Sequence, residues 1–153
     1  MEERIENVVE VQELDNHTEK FLNFRSDGLL FGINTNYVTE IITNAKPTRV
    51  PMTPSYVKGI INLRGQIIPI VDIRLRLGKM EIDYDDKACI VVLEYAGIAI
   101  GIVVDTVVNV IDIALPNISP MPENNAQEMV SGVISLGENE TLMILDCELL
   151  INQ

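Results

Sequence analysis

The chain has 153 residues, of which 47% are apolar, and a formal net charge of −12. This apolar content is enough for a packed core and excludes a largely disordered protein. Every Lys and Arg lies within the first 87 residues, whereas residues 88–153 carry nine acids. We therefore expect no nucleic-acid partner, because the second half offers no basic face for phosphates. The longest apolar runs, 88–93 and 97–104, are too short to span a bilayer, so we also expect no membrane insertion.

The first element in chain order is an acidic segment. Residues 1–19 carry seven acids against the single cation Arg4. Such a charge run is typical of a solvated segment, and we predict a mobile acidic tail over 1–19.

An internal repeat organises the rest of the chain. Two glycines four residues apart recur at an offset of 69 residues, and two later apolar segments recur at offsets of 73 and 74. The matching segments are Phe24–Ile33 with Leu93–Ile102, Val57–Leu63 with Val130–Leu136, and Ile70–Ile73 with Ile144–Cys147. Three matches in the same order indicate a duplication.

Each half shows the same succession of elements. A hairpin with a glycine turn comes first, and a segment that is either a short helix or a strand follows, at 36–42 or 105–111. Proline-bearing loops and a second hairpin complete the half. We predict a mostly β protein with a few short helices, built as two tandem five-stranded β-barrel subdomains of the SH3 or OB type. The subdomains would span 20–86 and 87–153 and meet at an acidic loop near 81–86.

Residues that carry catalysis or bind metals are scarce. The only histidine, His17, lies in the acidic tail, and two cysteines 58 positions apart do not form a metal-ligand pattern. Neither a phosphate-binding loop nor a dinucleotide fingerprint occurs. Cys89 and Cys147 are predicted to be buried reduced thiols, with a disulfide or redox pair as the alternative. We expect no catalytic residues, no metal and no cofactor.

One long segment carries a family resemblance. Val57–Gly78 contains the run Gly-Ile-Ile-Asn-Leu-Arg-Gly-Gln-Ile-Ile-Pro-Ile-Val-Asp-Ile-Arg, which closely resembles the signature of the CheW family of chemotaxis coupling proteins. Tyr37–Ile41 and Gly101–Val110 resemble two further elements of that family. The resemblance implies a pair of five-stranded barrels, in agreement with the duplication.

The same resemblance implies a function and two partners. It implies a cytoplasmic adaptor, monomeric when free, that is recruited to membrane-associated chemoreceptor arrays. One partner would be the regulatory domain of the histidine kinase CheA. The other would be the helical-hairpin tip of methyl-accepting chemotaxis receptors, bound between the two barrels. The alternatives are a ligand-binding or enzymatic β-barrel, and a family member that binds receptors without supporting kinase activation.

The resemblance also implies site residues. It assigns kinase contact to Val38, Glu40 and Gly59, and receptor binding or coupling to Arg64, Val107 and Val110. Arg64 sits at a predicted hairpin tip, where an exposed guanidinium suits a partner carboxylate. Val107 and Val110 would face alike on a helical turn. Structural roles are the alternative for the others: core packing for the valines, solvation for Glu40 and a backbone turn for Gly59.

Overall fold

The computed structural model describes residues 17–121 and 129–152 and consists mainly of β-strands. The strands are β1 (Thr18–Ser26), β2 (Leu29–Asn34), β3 (Val38–Thr43), β4 (Val57–Leu63), β5 (Gln66–Asp72), β6 (Cys89–Tyr95), β7 (Ile98–Val104), β8 (Thr106–Ala114), β9 (Ser119–Pro120), β10 (Val130–Ser135) and β11 (Thr141–Leu145). The helices are α1 (Ile73–Arg76) and α2 (Cys147–Ile151), with 3₁₀ turns at Thr35–Tyr37 and Leu115–Asn117. Both segments predicted as helix or strand are strands, β3 and β8. Of the predicted tail, residues 1–16 lie outside the described residues, and Thr18 and Glu19 belong to β1.

The strands form two sheets. Sheet A has six strands in the order β8-β1-β2-β11-β10-β9, and sheet B has five in the order β3-β6-β7-β5-β4. Tight two-residue turns join β1 to β2 and β6 to β7, because Gly28 and Gly97 supply the positive φ that such turns need. Each sheet also contains one pair of parallel strands. These are β2 with β11 in sheet A and β5 with β7 in sheet B.

The two sheets are related by the sequence repeat, but their strands do not divide at residue 86. Sheet A combines β1 and β2 with β8–β11, whereas sheet B is the continuous stretch from β3 to β7. The predicted division at 86/87 falls in an irregular segment inside sheet B. The ranges 20–86 and 87–153 thus describe the repeat and not the sheets, since each repeat lends its later strands to the sheet begun by the other.

Three apolar clusters hold this arrangement. Leu22 and Phe24 of β1 face a cluster shared by both sheets, and Phe21 faces a second cluster on the other side of sheet A. Ile113 of edge strand β8 and Ile134 of β10 meet in that second cluster, so sheet A curls around it. A third cluster, with Ile68, Ile70, Ile90, Val92 and Val103 at its centre, fills the curl of sheet B.

The prediction of a mostly β protein with a few short helices is confirmed, but the described residues form two sheets and not two five-stranded barrels. The sheets have six and five strands, and each keeps two edge strands among the described residues. In each curled sheet, it is the packing of apolar side chains that brings the two edge strands near one another, and not a continuous ring of backbone hydrogen bonds.

Two repeat-related aspartates lie at the end of the last strand of each half: Asp72 is the last residue of β5, and Asp146 directly follows β11. Asp72 accepts a hydrogen bond from the Arg74 amide, and Asp146 accepts one from the Leu149 amide, so each caps the short helix that follows. Cys89 and Cys147 are free thiols; Cys147 is buried as predicted, whereas Cys89 is only half-buried. Within the described parts of the chain, no helix has the length and apolarity needed to cross a membrane.

Candidate protein-binding surfaces

The predicted site residues Arg64 and Glu40 form an ion pair on the surface of sheet B. Arg64 Nη2 donates to Glu40 Oε2 at 2.6 Å, and Nη1 donates to Oε1 at 3.3 Å. Arg64 lies in the β4–β5 turn and Glu40 in β3, so the pair links the two opposite edges of the curled sheet. The structure thus joins two residues that the family resemblance assigned to different partners.

The pair remains accessible to a binding partner. The Arg64 side chain is 72% exposed and that of Glu40 is 31% exposed. The hydrogen bond from Arg64, followed by its charge, holds the pKa of the Glu40 carboxyl below its usual value. Because water screens such a pair, its charges remain available to exchange for those of a partner.

The β4–β5 turn does not itself select arginine. Arg64 and Gly65 have φ angles of 51° and 87°, a geometry that favours Asn-Gly or Asp-Gly. The side-chain oxygen of Asn62 accepts a hydrogen bond from the Gly65 amide at 2.9 Å and so supports the turn. The β6–β7 turn has Ala96 at the position equivalent to Arg64, also with positive φ, so no long side chain is needed. The guanidinium of Arg64 is therefore not needed by the turn, and the contact that it makes is the surface ion pair with Glu40.

A cleft adjoins the ion pair. It has a volume of about 270 Å³ and is lined in part by Thr39, Gln66 and Glu94. Sequence reasoning missed these three residues, because they come from three separate strands or strand ends and meet only when sheet B curls.

Val38 and Glu40 flank a β-bulge. The register of β3 against β6 shifts between them, with Val38 opposite Leu93 and Glu40 opposite Val92. Val38 is half-buried against the cluster between the sheets, and Ile41 is 42% exposed. Both residues are partly buried, but Glu40 keeps 31% of its side chain exposed to a partner, whereas Val38 packs against this cluster.

Gly59 is buried at a second bulge. Its φ is +149°, and a Cβ there would overlap the carbonyl oxygen of Thr48 and lie 2.7 Å from the carbonyl carbon. Thr48 exchanges two backbone hydrogen bonds with Ile60, both of 2.8 Å, which hold the loop after β3 against β4. A glycine is needed here for this close approach. Gly132, its repeat mate, also lies at a close approach, since a Cβ there would be 2.6 Å from the Ile118 side chain and 2.9 Å from the Ser119 carbonyl oxygen, but its φ is not positive.

Val107 and Val110 lie on edge strand β8 of sheet A, and not on a helical turn. Val107 is opposite Phe24 and Val110 is opposite Leu22, with a register shift between them. Paired residues point to the same face, and Leu22 and Phe24 share a face, so the two valines also face alike. Val107 is half-buried and Val110 is 51% exposed. The two valines therefore share one face of a strand with a bulge, and not the predicted face of a helical turn.

Two polar networks were not foreseen from the sequence. Fully buried Asp72 accepts a hydrogen bond from the Tyr84 hydroxyl at 2.7 Å, which ties the irregular segment before β6 to sheet B. Burial, followed by this hydrogen bond, raises the pKa of Tyr84. The second network joins Arg74 to Asp27 and Asp105. The only sequence signal for it was the occurrence of Arg74 and Asp105 in two of the family-like segments.

Comparison with known proteins matches these features to one family. The family model described as CheW-like domain matches residues 20–153. The chemotaxis protein CheW of Klebsiella aerogenes is 35% identical over 137 residues, which cover 88% of this chain and 82% of that protein. CheW of Bacillus subtilis is 32% identical, with 88% of each chain covered.

A solved structure agrees with these matches. The crystal structure of the scaffolding protein TtCheW from Thermoanaerobacter tengcongensis superposes with a TM-score of 0.78 at 30% identity, over 84% of this chain and 88% of that one. With its two repeat-related sheets and its motif segments in place, this chain belongs to the family of chemotaxis proteins that contain a CheW-like domain.

Proposed function

We propose that this protein is a non-enzymatic adaptor that couples methyl-accepting chemotaxis receptors to the histidine kinase CheA. It acts in the cytoplasm, at membrane-associated receptor arrays, and is monomeric when free. The family membership supports the role, and the exposed Glu40–Arg64 ion pair is the observation that carries it. An arginine that its turn does not require, paired with a carboxylate on another strand, is well suited to protein recognition.

The kinase-binding surface is centred on Glu40. Val38 supports it from the half-buried side of the β3 bulge, and Gly59 contributes by letting the Thr48 segment approach β4 closely. We assign Glu40 the direct contact with the CheA regulatory domain. Val38 and Gly59 act by shaping the strands that present it.

The receptor-binding surface combines a charged and an apolar part. Arg64 supplies a guanidinium, and Val107 and Val110 supply an apolar face on β8. Partly exposed valines on an edge strand can bury apolar area against an amphipathic helix, which gives affinity, while the arginine sets the register.

The test measures binding of the full chain to a CheA regulatory domain and to a receptor hairpin fragment by calorimetry. Wild type should bind both. Glu40→Gln should weaken kinase binding, and Val110→Thr should weaken receptor binding, each by about tenfold. Val108→Thr is the matched control on the same strand, since Val108 is 47% exposed and has no assigned role.

Kinase activity in a reconstituted mixture separates a coupler from a competitor. The adaptor should raise receptor-dependent autophosphorylation of CheA, whereas a competitor would bind receptors and leave the kinase inactive. A folded wild-type protein that binds neither fragment would overturn the proposed function.

A further inference from the structure

Arg74 joins the two sheets through a nearly buried ion cluster. It lies in α1, directly after β5 of sheet B, and its side chain is 11% exposed. Its Nη2 and Nε donate to the two oxygens of Asp105 at 2.5 and 3.2 Å, and its Nη1 donates to Asp27 at 2.9 Å. Asp27 belongs to the β1–β2 turn of sheet A, so one guanidinium holds residues of both sheets.

Asp105 occupies the corner where the chain passes from sheet B to sheet A. It is the single residue between β7 and β8. Its amide donates to the Arg25 carbonyl at 2.9 Å, and its carboxylate accepts a bond from the Asp27 amide at 3.1 Å. The corner is therefore fixed by backbone and side chain together, with Arg74 at its centre.

The repeat shows that the fold does not require this cluster. At the repeat offset of 69, Asp105 corresponds to Asn36, and at the offset of 74, Arg74 corresponds to Glu148. The equivalent corner between β2 and β3 is built instead from a 3₁₀ turn capped by Asn34. Since one corner forms without an arginine–aspartate cluster, the fold alone does not account for the cluster at the corner before β8.

We infer that Arg74 is a positioning residue for receptor binding, and this inference rests on the proposed function. Val107 lies two residues after Asp105, and Val110 lies on the same face. By holding Asp105 in a two-bond fork, Arg74 fixes the start of β8 and so the direction in which both valines point. A lysine could supply the charge but not the fork.

The experiment compares Arg74→Gln, Arg74→Lys and Asp105→Asn in the full chain. Receptor-fragment affinity should fall about tenfold in Arg74→Gln and less in Arg74→Lys, and kinase-domain affinity should stay within about twofold. The double variant Arg74→Gln/Asp105→Asn should bind no more weakly than the worse single variant, because both act through one contact. Glu140→Gln is the matched control, since it removes the ion pair with Arg25, which also spans 2.5 Å but lies within sheet A.

A second readout does not depend on any partner. Methyl NMR signals of Val107 and Val110 should shift in Arg74→Gln and stay in place in Glu140→Gln. If both valine signals are unchanged in a folded Arg74 variant, or if receptor and kinase affinity fall equally, the inference is overturned. Arg74→Lys serves the same test if the glutamine variant does not fold. Absence of binding by wild type would overturn the proposed function and with it the receptor role of Arg74, whereas the NMR result would still decide whether Arg74 positions the two valines.

Discussion

At the scale of one residue, Arg64 carries a long side chain on a backbone conformation that such side chains disfavour. Its left-handed φ of 51° suits Asn, Asp or Gly far better than a long side chain. The ion pair with Glu40 is exposed, so it compensates for little of that strain. Binding, and not stability, is the property that we expect changes at this position to affect.

Arg64→Asn should separate these two properties. The free energy of unfolding, measured by urea titration, should equal that of wild type or exceed it, because asparagine relieves the strained φ. Affinity for the receptor fragment should fall at least about tenfold. A clearly less stable variant would show instead that the ion pair is needed to hold the edges of sheet B together.

The same substitution should change the titration of Glu40. Arg64 holds the pKa of the Glu40 carboxyl below its usual value, so the pair stabilises the fold above the usual pKa, and this contribution is lost as the pH falls through the lowered pKa. In Arg64→Asn the pKa of Glu40 should rise towards its usual value. A carboxyl-carbon NMR titration measures the pKa of Glu40 in wild type and in Arg64→Asn. An unchanged pKa would contradict the ion pair in solution.

Cys147 offers a test of burial. Burial, followed by the charge of Asp146, raises the pKa of this thiol to about 12. Folding thus keeps the thiol protonated. The contribution of this buried, protonated thiol to the stability of the fold should be complete below the usual thiol pKa and decline as the pH rises towards 12. At pH 8, iodoacetamide should modify Cys147 only after urea unfolding, as followed by mass spectrometry. Rapid modification of the folded protein would show that the site opens.

At the scale of strands, β3 and β8 show where sequence reasoning reaches its limit. Val38 and Ile41, like Val107 and Val110, are three residues apart, a spacing that suggests one face of a helix. A bulge inserts one extra residue in each strand, and the same spacing then gives one face of a strand. Hairpin turns such as Arg64–Gly65 could be predicted because their chemistry is local. The contacts of Arg64 with Glu40 and of Arg74 with Asp105 could not, because strand order brings those residues together.

The two bulge glycines should differ in their sensitivity to substitution, because only Gly59 combines a positive φ with a very close backbone contact. Gly59→Ala should lower the free energy of unfolding by about 2 to 4 kcal/mol, because its φ is positive and a Cβ would strike backbone atoms of Thr48. Gly132→Ala should lower it less, because a Cβ there would meet the Ile118 side chain at 2.6 Å and the Ser119 carbonyl oxygen at 2.9 Å, without a positive φ. Urea unfolding of both variants measures this loss. If Gly59→Ala keeps full stability and loses only kinase binding, Gly59 makes a direct contact with the kinase.

At the scale of the whole molecule, sheet B is built from one continuous stretch of chain and sheet A from two separate stretches. The chain therefore cannot be cut at its repeat boundary without dividing both sheets. A fragment of residues 17–86 keeps β1 and β2 without β8 and β11, and β3–β5 without β6 and β7. Each half would therefore expose apolar faces that the other half covers.

Fragments test this arrangement directly. Residues 17–86 and 87–152 should each be unfolded alone by circular dichroism and should form β-structure when mixed. The control fragment 38–104, which contains every strand of sheet B, should show more sheet signal than either half. Cooperative folding of 17–86 alone would contradict the strand exchange.

Within residues 17–121 and 129–152, the chain passes between the sheets at two places, from β2 to β3 and from β7 to β8. Tyr37 lies in the first link, with its ring 5.9 Å from that of Tyr95, and Asp105 is the second link, held by Arg74. Two such short links, each held by side-chain contacts, limit how far one sheet can move relative to the other. A partner that displaces one sheet would therefore also displace the partner bound to the other sheet.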